Sequence, residues 1–487
     1  MLSHDPYRKQ RIEYIEALHH SPTQIVASLS GGGALILGDL LTVPGGSRTL
    51  IEATVPYSPG SISNYIGRVP EQFCCSRTAR SLAMMAFYHA RKIIRSEALR
   101  RRGYVDPEQV SPKAVDVSHE LTGISESAIL RSFQFVEPED LDESDIYQHI
   151  IGVGCTASLV TDRQKKGEHR VHVAVQTLQQ TIQFSLLLQK DARTRWEEER
   201  LVADLILNAI ETARRESEHH SHAMPPGFSG TGEISCSAFV ESPAENYPLH
   251  IQIPLDIKPG EVVHGELSVG SPLLVNLFFG KLGAVLWADG EIWHSVAHKD
   301  ITSSSAPFNA RAEFTQAIFS GSFSPLHKGH LGMIDVAEQR LQWKVVLEIS
   351  IQNVDKPPLD YIDLKRRLAH INEVNPKQTV WLTQTPLFVH KSELFRGASF
   401  VVGADTLKRF ADMRFYHESV HKLHDILRII AFNHCRFLVF ARQSKSGLES
   451  LDSLEIPDML RSLCDEVPPS AFTMDISSSD MRREEMP

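Results

Sequence analysis

Cysteine is scarce in this sequence, and the few cysteines are not arranged in pairs. None of the six follows a repeated CxxC spacing, and they lie at Cys74, Cys75, Cys155, Cys236, Cys435 and Cys464. This pattern excludes a secreted disulfide framework and a zinc ribbon, and it favours reduced thiols. The sequence therefore predicts a cytoplasmic protein and leaves a nuclear location open.

Long apolar runs and an excess of positive charge are absent as well. The most apolar window, "SPLLVNLFFGKLGAVLWADG", is broken by Asn276, Gly280 and Lys281 and does not predict a membrane span. The charged N-terminus lacks the apolar region of a secretory signal. A formal net charge of -10 provides no general basic field for gripping nucleic acid. We therefore expect small-molecule partners, with no nucleic acid and no membrane, and we leave a homo-oligomer open.

Composition and length indicate a globular protein of several domains. The chain has 487 residues, of which 42% are hydrophobic and 23% charged. That composition excludes a wholly disordered chain, and the length is too great for one ordinary hydrophobic core.

The order of apolar patterns predicts an α/β protein with two α/β domains. We expect an N-terminal α/β domain over 8–215 and a linker over 216–233 that is rich in Gly, Pro, Ser and His. Short β segments predict a small β-rich block over 234–298. From 314 to 487, strand-like and helix-like runs alternate, which predicts a doubly wound, Rossmann-like parallel sheet with ligands at the carboxyl ends of its strands.

One stretch of the last domain, "GSFSPLHKGH", lies between a strand-like and a helix-like pattern. Gly321 allows a tight turn, and Pro325 keeps the next residues out of a premature helix. His327 and His330 would then lie at the helix start, where free N–H groups and the helix dipole favour an anion. A zinc site would need further ligands, and the usual helical zinc pair is spaced by four residues. A phosphate site is therefore favoured over surface histidines near a turn, and no metal site is expected.

Three further segments of this domain carry groups that suit a phosphate or a nucleotide: "DKPPLDYIDLKRR", "VVGADTLKRF" and "DISSSDMRRE". A glycine allows close approach, a carboxylate accepts hydrogen bonds, and hydroxyls, N–H groups and cations converge on an anion. The residues concerned are Lys356, Gly403, Asp405, Ser477, Ser478 and Arg482. Each segment alone is typical of an ordinary loop, an N-cap or a solvated face, but their joint order favours a nucleotide site.

The paired motifs resemble those of a known superfamily. "GSFSPLHKGH" is similar to the GxFxPxHxGH motif of the HxGH nucleotidyltransferases, which are cytidylyltransferase-like, and "ISSSDMR" resembles their second signature, ISSTxxR. With "KPP", "VGADTL" and "RFY", the chain from about Phe314 to Arg483 is most similar to nicotinamide or nicotinate mononucleotide adenylyltransferases. This resemblance implies that ATP and a pyridine mononucleotide react to give NAD and pyrophosphate, with Mg²⁺ neutralising the leaving group.

The resemblance also implies a role for each matching residue. His327, His330 and Arg482 would be catalytic, with His330 the most important in the transition state. The nucleotide-binding residues would be Gly321, Ser322, Phe323, Lys356, Gly403, Asp405, Ser477 and Ser478.

The N-terminal part resembles a second family. "SLSGGG", "VPGGSRTL" and "YSPGSI" are similar to motifs of the competence/damage-inducible protein A C-terminal family, whose active members deamidate nicotinamide mononucleotide. The resemblance leaves four polar side chains as candidate contacts: Ser30, Ser47, Tyr57 and Thr156. Ile62 stands where the family has a lysine, so an activated Ser47 lacks its obvious base. We therefore expect a retained fold with lost or altered hydrolysis.

Other functions stay open at this stage. The C-terminal domain could instead use phosphopantetheine or a cytidylyl acceptor. The protein could be bifunctional, with mononucleotide deamidase activity. It could also bind nucleotides as a regulator without turnover.

Overall fold

The computed structural model describes residues 5–101, 147–163, 165–220, 233–237, 239–240, 248–297, 315–352, 357–416, 420–444 and 447–472. Two compact units divide the chain. The first comprises Met1–His222 and Glu245–Glu266, and the second comprises Ala223–Ala244 and Leu267–Pro487. Each is described by itself.

The first unit alternates helices with strands from its beginning. Its described elements up to the predicted linker are α1 (Arg8–His20), β1 (Gln24–Ser30), α2 (Leu35–Thr42), α3 (Gly46–Thr49), β2 (Leu50–Thr54), α4 (Pro59–Tyr65), α5 (Ser76–Arg101), β3 (Ile150–Ser158), β4 (His169–Gln176), β5 (Gln180–Leu188) and α6 (Arg195–His220).

The sheet of the first unit is parallel at one side and antiparallel at the other. These strands follow the order β2-β1-β3-β4-β5, in which β1 is parallel to β2 and β3, and the later pairs are antiparallel. Helix α5 packs directly on Gly152 and Gly154 of β3. A Cβ at Gly154 would lie 2.1 Å from the Ala79 carbonyl oxygen. Glycine is therefore required for this contact, and the side of the sheet that carries Gly152 and Gly154 is called the α5 face below.

The remaining chain contains the second α/β pattern. Its described elements are β6 (Glu233–Ser237), β7 (Phe239–Val240), β8 (Val263–Gly270), α7 (Pro272–Phe279), β9 (Leu282–Ala288), β10 (Glu291–Ala297), β11 (Ala317–Ser320), α8 (Lys328–Leu341), β12 (Val346–Ser350), α9 (Tyr361–Val374), β13 (Val380–Thr383), α10 (Phe388–Leu394), β14 (Ser399–Gly403), α11 (Ala404–Phe410), α12 (Val420–Phe432), β15 (Arg436–Phe440), β16 (Arg442–Ser444), β17 (Gly447–Glu449), α13 (Asp458–Ser462) and β18 (Cys464–Val467), with 3-10 turns at Met413–Tyr416 and Leu451–Ser453.

Nine strands form the main sheet of the second unit, in the order β18-β15-β14-β11-β12-β13-β9-β10-β6. The strands from β18 to β13 are parallel. The chain builds outward from β11 to both sides, so the strand order reverses at β11. Such a reversal opens a crevice at the carboxyl ends of the strands. This architecture confirms the predicted α/β fold class with a Rossmann-like parallel sheet.

The segment 234–298 does not form a block of its own in the structure. Strand β9 pairs with β13 through Val380 and Trp287, β10 pairs with β9, and β6 pairs with β10. All seven residues of β9 are buried, because the strand is flanked on both sides. The same segment contains helix α7, which begins at a capping Ser271 and ends at Gly280 with φ 85°. Helix α6 extends through the start of the predicted linker to His220.

Candidate functional site

The turn after β11 is held in one conformation by its own residues. The Gly321 N–H donates to the Glu348 carbonyl oxygen of β12 at 3.0 Å. The Phe323 ring is 1% exposed and lies so close that a Cβ at Gly321 would be 2.7 Å from it. Gly321 is therefore required by close packing, and the turn delivers the chain to α8 with His327 as the N-cap residue.

His327 and His330 contact each other at the first turn of α8. Their rings stack with centroids 3.7 Å apart, and Phe319 and Phe323 pack edge-on against His330 at 5.8 and 5.2 Å. The His327 N–H donates to Nδ1 of His330 at 3.2 Å. Because Nδ1 of His330 accepts a hydrogen bond, a neutral ring carries its proton on Nε2 and can donate it to a ligand.

Both rings are held in the neutral form. Burial, followed by the neighbouring His327, lowers the pKa of His330 to about 3. Burial, followed by the nearby Arg442 guanidinium, also lowers the pKa of His327. Nδ1 of His327 is buried and has no hydrogen-bond partner among the described residues. The pair thus offers neutral donors at a helix start, where an anion is favoured.

Helix α9 holds the other side of the turn. Nη1 of Arg367 donates to the Ser322 carbonyl oxygen at 2.7 Å, and Nη2 donates to Asp363 at 2.6 Å. His370 donates from Nε2 to the Leu326 carbonyl oxygen at 3.0 Å. The side chain of Arg367, which the sequence offers as a phosphate cation, therefore positions the backbone of the turn.

Gly403 and Asp405 follow β14, the neighbour of β11. A Cβ at Gly403 would lie 2.6 Å from the Asp405 carboxylate, so glycine is needed there. The Asp405 carboxylate forms an ion pair with Arg442 at the start of β16. Since Arg442 also acts on the pKa of His327, its guanidinium connects the histidine turn with the Gly403–Asp405 segment. Sequence reasoning did not select Arg442.

Four predicted site residues, Lys356, Ser477, Ser478 and Arg482, lie outside the described residues. Phe472, the last described residue, packs on α8. A Cβ at Gly332 would lie 2.6 Å from its ring, and the same ring meets Phe440 at 5.3 Å. The described chain thus ends against the helix that carries His330.

In the first unit the structure brings together two of the four predicted residues. Ser30 and Thr156 are register partners at the ends of β1 and β3, and both are buried. The Thr156 hydroxyl donates to the Cys75 carbonyl oxygen at 3.4 Å. Ser47 and Tyr57 are exposed, at the surface of α3 and before α4. Ile62, at the position of the family lysine, is 4% exposed and packs with Ile66 and Leu82 in an apolar cluster.

The same row of the sheet continues with residues that sequence reasoning missed. Thr156 is the register partner of His172, and His172 is that of Ser185, so all of these side chains lie on the α5 face. Nδ1 of His172 lies 2.8 Å from the Ser185 hydroxyl. Burial, followed by the nearby Arg170, lowers the pKa of His172 to about 4. The alternation in "HRVHVAVQT" and "QTIQFSLLL" places His172 and Ser185 on strands. The strand pairing is needed to show that they are neighbours on one face of the sheet.

Three hydroxyls near the start of this row make no hydrogen bond within the described structure: those of Ser28, Thr54 and Tyr65. Burial raises the pKa of Tyr65, and the proximity of the Thr54 and Ser28 hydroxyls opposes that rise. The three hydroxyls therefore lie close to one another beside this row.

Metal-ligand clusters and membrane-spanning helices are both absent from the described part of the chain. Within it, no group of three or more His, Cys, Asp or Glu side chains could hold a metal ion. No helix of that part is both long and apolar enough to cross a membrane.

Comparison with solved structures gives a weak likeness for the chain. The crystal structure of the competence/damage inducible protein CihA from Agrobacterium tumefaciens covers 45% of this chain and 96% of its own, with 13% identity and a TM-score of 0.24. That protein carries the name of the family that the N-terminal sequence resembles, but a TM-score this low does not indicate a shared fold. No curated protein matches the sequence.

Comparison with family models gives a match in the second unit. Residues 318–484 match the family described as Cytidylyltransferase-like. This segment begins within β11 and contains the histidine turn, the Gly403–Asp405 segment and Arg442. The C-terminal part of the chain is therefore a cytidylyltransferase-like domain, of a nucleotidyltransferase family.

Proposed function

We propose that this protein is an adenylyltransferase that makes a pyridine dinucleotide and pyrophosphate from ATP and a pyridine mononucleotide, with NAD the product from nicotinamide mononucleotide. The observation that carries the proposal is the His327–His330 pair at the start of α8, within a cytidylyltransferase-like segment. The pyridine acceptor rests on the resemblance of "KPP", "VGADTL" and "RFY" to mononucleotide adenylyltransferases.

The geometry suits stabilisation of charge on phosphate. A 5′-phosphate oxygen of the mononucleotide would attack the α-phosphorus of ATP in line, the α–β bridging bond would break, and pyrophosphate would leave. No protein nucleophile is needed, because positioning and preorganised donors supply the rate. Nε2–H of His330 would donate to a phosphate oxygen, and the stacked His327 ring together with its N–H would keep His330 in place.

The remaining contacts follow from the sheet. The Gly321–Phe323 turn would line the nucleotide site at the end of β11, with Gly403 and Asp405 beside the adenosine at the end of β14. Arg442 would add a cation between these two segments. Ser477, Ser478 and Arg482 would hold the β- and γ-phosphates, and Lys356 would approach from the β12 side.

Mg²⁺ would enter with ATP as part of the substrate. Neutral rings and guanidinium groups are the described donors at the histidine turn, and they suit phosphate oxygens better than Mg²⁺, which takes oxygen ligands. The ion would neutralise the departing pyrophosphate.

For the first unit we propose binding of a pyridine mononucleotide without hydrolysis. The polar row from Ser30 to Ser185 and the hydroxyls of Ser28, Thr54 and Tyr65 beside it support a small polar ligand. Ile62, at the position of the family lysine, contributes to an apolar cluster, and Ser47 is exposed.

A substrate panel tests the proposed reaction. Release of pyrophosphate is measured with ATP or CTP against nicotinamide mononucleotide, nicotinate mononucleotide, phosphopantetheine and a cytidylyl acceptor. We expect release with ATP and a pyridine mononucleotide only. Release with CTP would replace ATP as the proposed donor, and release with phosphopantetheine would replace the proposed acceptor. Tight ATP binding without any release of pyrophosphate would favour a regulator.

A further inference from the structure

The second unit contains a buried ion pair that the reaction outlined above does not use. Glu348 of β12 is 0% exposed, and its carboxylate lies 2.6 Å from Nζ of Lys391 on α10. The Thr383 hydroxyl of β13 donates to the same carboxylate at 2.6 Å. A buried ion pair rarely stabilises a fold more than well-packed apolar residues of similar volume would.

Two unpaired hydroxyls flank this ion pair. Ser320 is the register partner of Glu348, and Ser350 follows Glu348 by two residues, so all three side chains lie on one face of the sheet. The Oγ atoms of Ser320 and Ser350 are buried and have no hydrogen-bond partner among the described residues. Buried hydroxyls of this kind are costly unless something outside the protein pairs with them.

The group stands at the edge of the sheet where a ligand is expected. Ser320 and Ser350 are the last residues of β11 and β12, beside the point where the strand order reverses. Ser320 directly precedes Gly321, and the Gly321 N–H donates to the Glu348 carbonyl oxygen. The ion pair is therefore tied to the histidine turn through the backbone.

The strand order indicates which part of the substrates lies beside Ser320, Ser350 and the Glu348–Lys391 pair. The turn leaves β11, with β14 and its Gly403 on one side and β12 and β13 on the other. If adenosine lies toward Gly403, the far end of the acceptor lies over β12, where Ser350 ends the strand. This step rests on the proposed function.

Charge then distinguishes between the two pyridine acceptors. The charge of Lys391 is already matched by Glu348, so the group as a whole is neutral. Serine hydroxyls both donate and accept, as a carboxamide does, whereas a carboxylate only accepts and would bring an uncompensated charge. We propose that Ser320, Ser350 and the Glu348–Lys391 pair select the amide mononucleotide over the acid.

The test compares kcat/KM for nicotinamide and nicotinate mononucleotide in the wild type and in Glu348→Gln. The wild type should prefer the amide. The substitution removes the negative charge that matches Lys391, so the amide-to-acid preference should fall by about tenfold. An unchanged ratio in a folded Glu348→Gln protein would overturn the inference.

Ser350→Ala and Ser320→Ala keep the inference testable if Glu348→Gln does not fold. Because neither hydroxyl has a described protein partner, alanine should leave the unfolding midpoint nearly unchanged. The KM for the amide should rise several-fold while kcat stays close to that of the wild type. Unchanged KM values in both variants would overturn the inference. A wild type that makes no dinucleotide from either mononucleotide would overturn the proposed function and this inference with it, whereas an active enzyme without these shifts would overturn only the inference.

Discussion

At the scale of single residues, we propose that His330 contributes most to the chemistry. Its ring is fixed by a hydrogen bond from the His327 N–H and by three aromatic neighbours. The sequence predicted both histidines, because their spacing lies within one motif. It could not predict the contacts of Arg442 and Arg367, since their partners are 37 and 45 residues away along the chain. Those contacts depend on the register of strands and helices that no local pattern contains.

Replacing His330 should remove most of the activity without unfolding the protein. Loss of a preorganised donor to a transition state lowers the rate by about a hundredfold or more. We therefore expect His330→Ala to reduce kcat for dinucleotide formation by at least that factor. His421→Ala is the matched control, because His421 is an exposed histidine of the same unit on α12. Wild-type turnover in His330→Ala, with an unchanged circular dichroism spectrum, would contradict the role.

The lowered pKa of His330 predicts how stability depends on pH. The ring ordinarily titrates near 6.5, and burial moves its pKa to about 3 in the folded protein. Between these values the unfolded chain binds more protons than the folded one, so the free energy of unfolding falls as the pH falls through this window. His330→Gln should lose less stability between pH 7 and pH 5 than the wild type. Urea unfolding at both pH values measures this, and identical losses in the two proteins would count against the neutral ring.

At the scale of elements, local patterns predicted much of the second unit but not its complete sheet. The alternation of apolar and amphipathic runs after 314 predicted strands β11 to β15 and helices α8 and α9. The antiparallel strands β9, β10 and β6 join the same sheet through pairs such as Val380 with Trp287. Such pairing joins segments nearly 100 residues apart, and sequence periodicity contains no information on it. The segment 234–298 therefore looked separate.

The contact between α5 and β3 gives a prediction about stability. A Cβ at Gly154 would lie 2.1 Å from the Ala79 carbonyl oxygen and 2.4 Å from the Ala83 nitrogen, both backbone atoms. Gly154→Ala should therefore destabilise the first unit by about 1–3 kcal/mol, since the helix would have to move. Gly60 in α4 is the control, because a Cβ added there would meet no atom within 4 Å. Gly60→Ala should be neutral or stabilise by up to about 1 kcal/mol in the same urea titration. Equal effects of the two substitutions would contradict the close packing.

At the scale of the whole molecule, two α/β units share one chain, and the family match lies in the second. Sequence resemblance suggested that both handle pyridine mononucleotides. Ser30 and Thr156 are register partners on neighbouring strands, and His172 and Ser185 extend the same row across the sheet. His172 and Ser185 lie outside the motifs of the N-terminal part, so those motifs alone do not decide whether a ligand is bound or also hydrolysed.

We expect the first unit to release no ammonia from nicotinamide mononucleotide. The position of the family lysine is an apolar, buried Ile62, so the obvious base for a serine nucleophile is missing. Incubation of the full chain with the mononucleotide and a coupled ammonia assay checks this. Ammonia release that disappears in Ser185→Ala would show instead that the His172–Ser185 pair supplies a base.

The proposed reaction is tested most directly by a coupled assay of dinucleotide formation by the full chain from ATP, with each pyridine mononucleotide in turn. We predict that a dinucleotide and pyrophosphate appear in equal amounts, and that His330→Ala abolishes most of both. Failure to form a dinucleotide from either mononucleotide, with a folded protein and Mg²⁺ present, would contradict it.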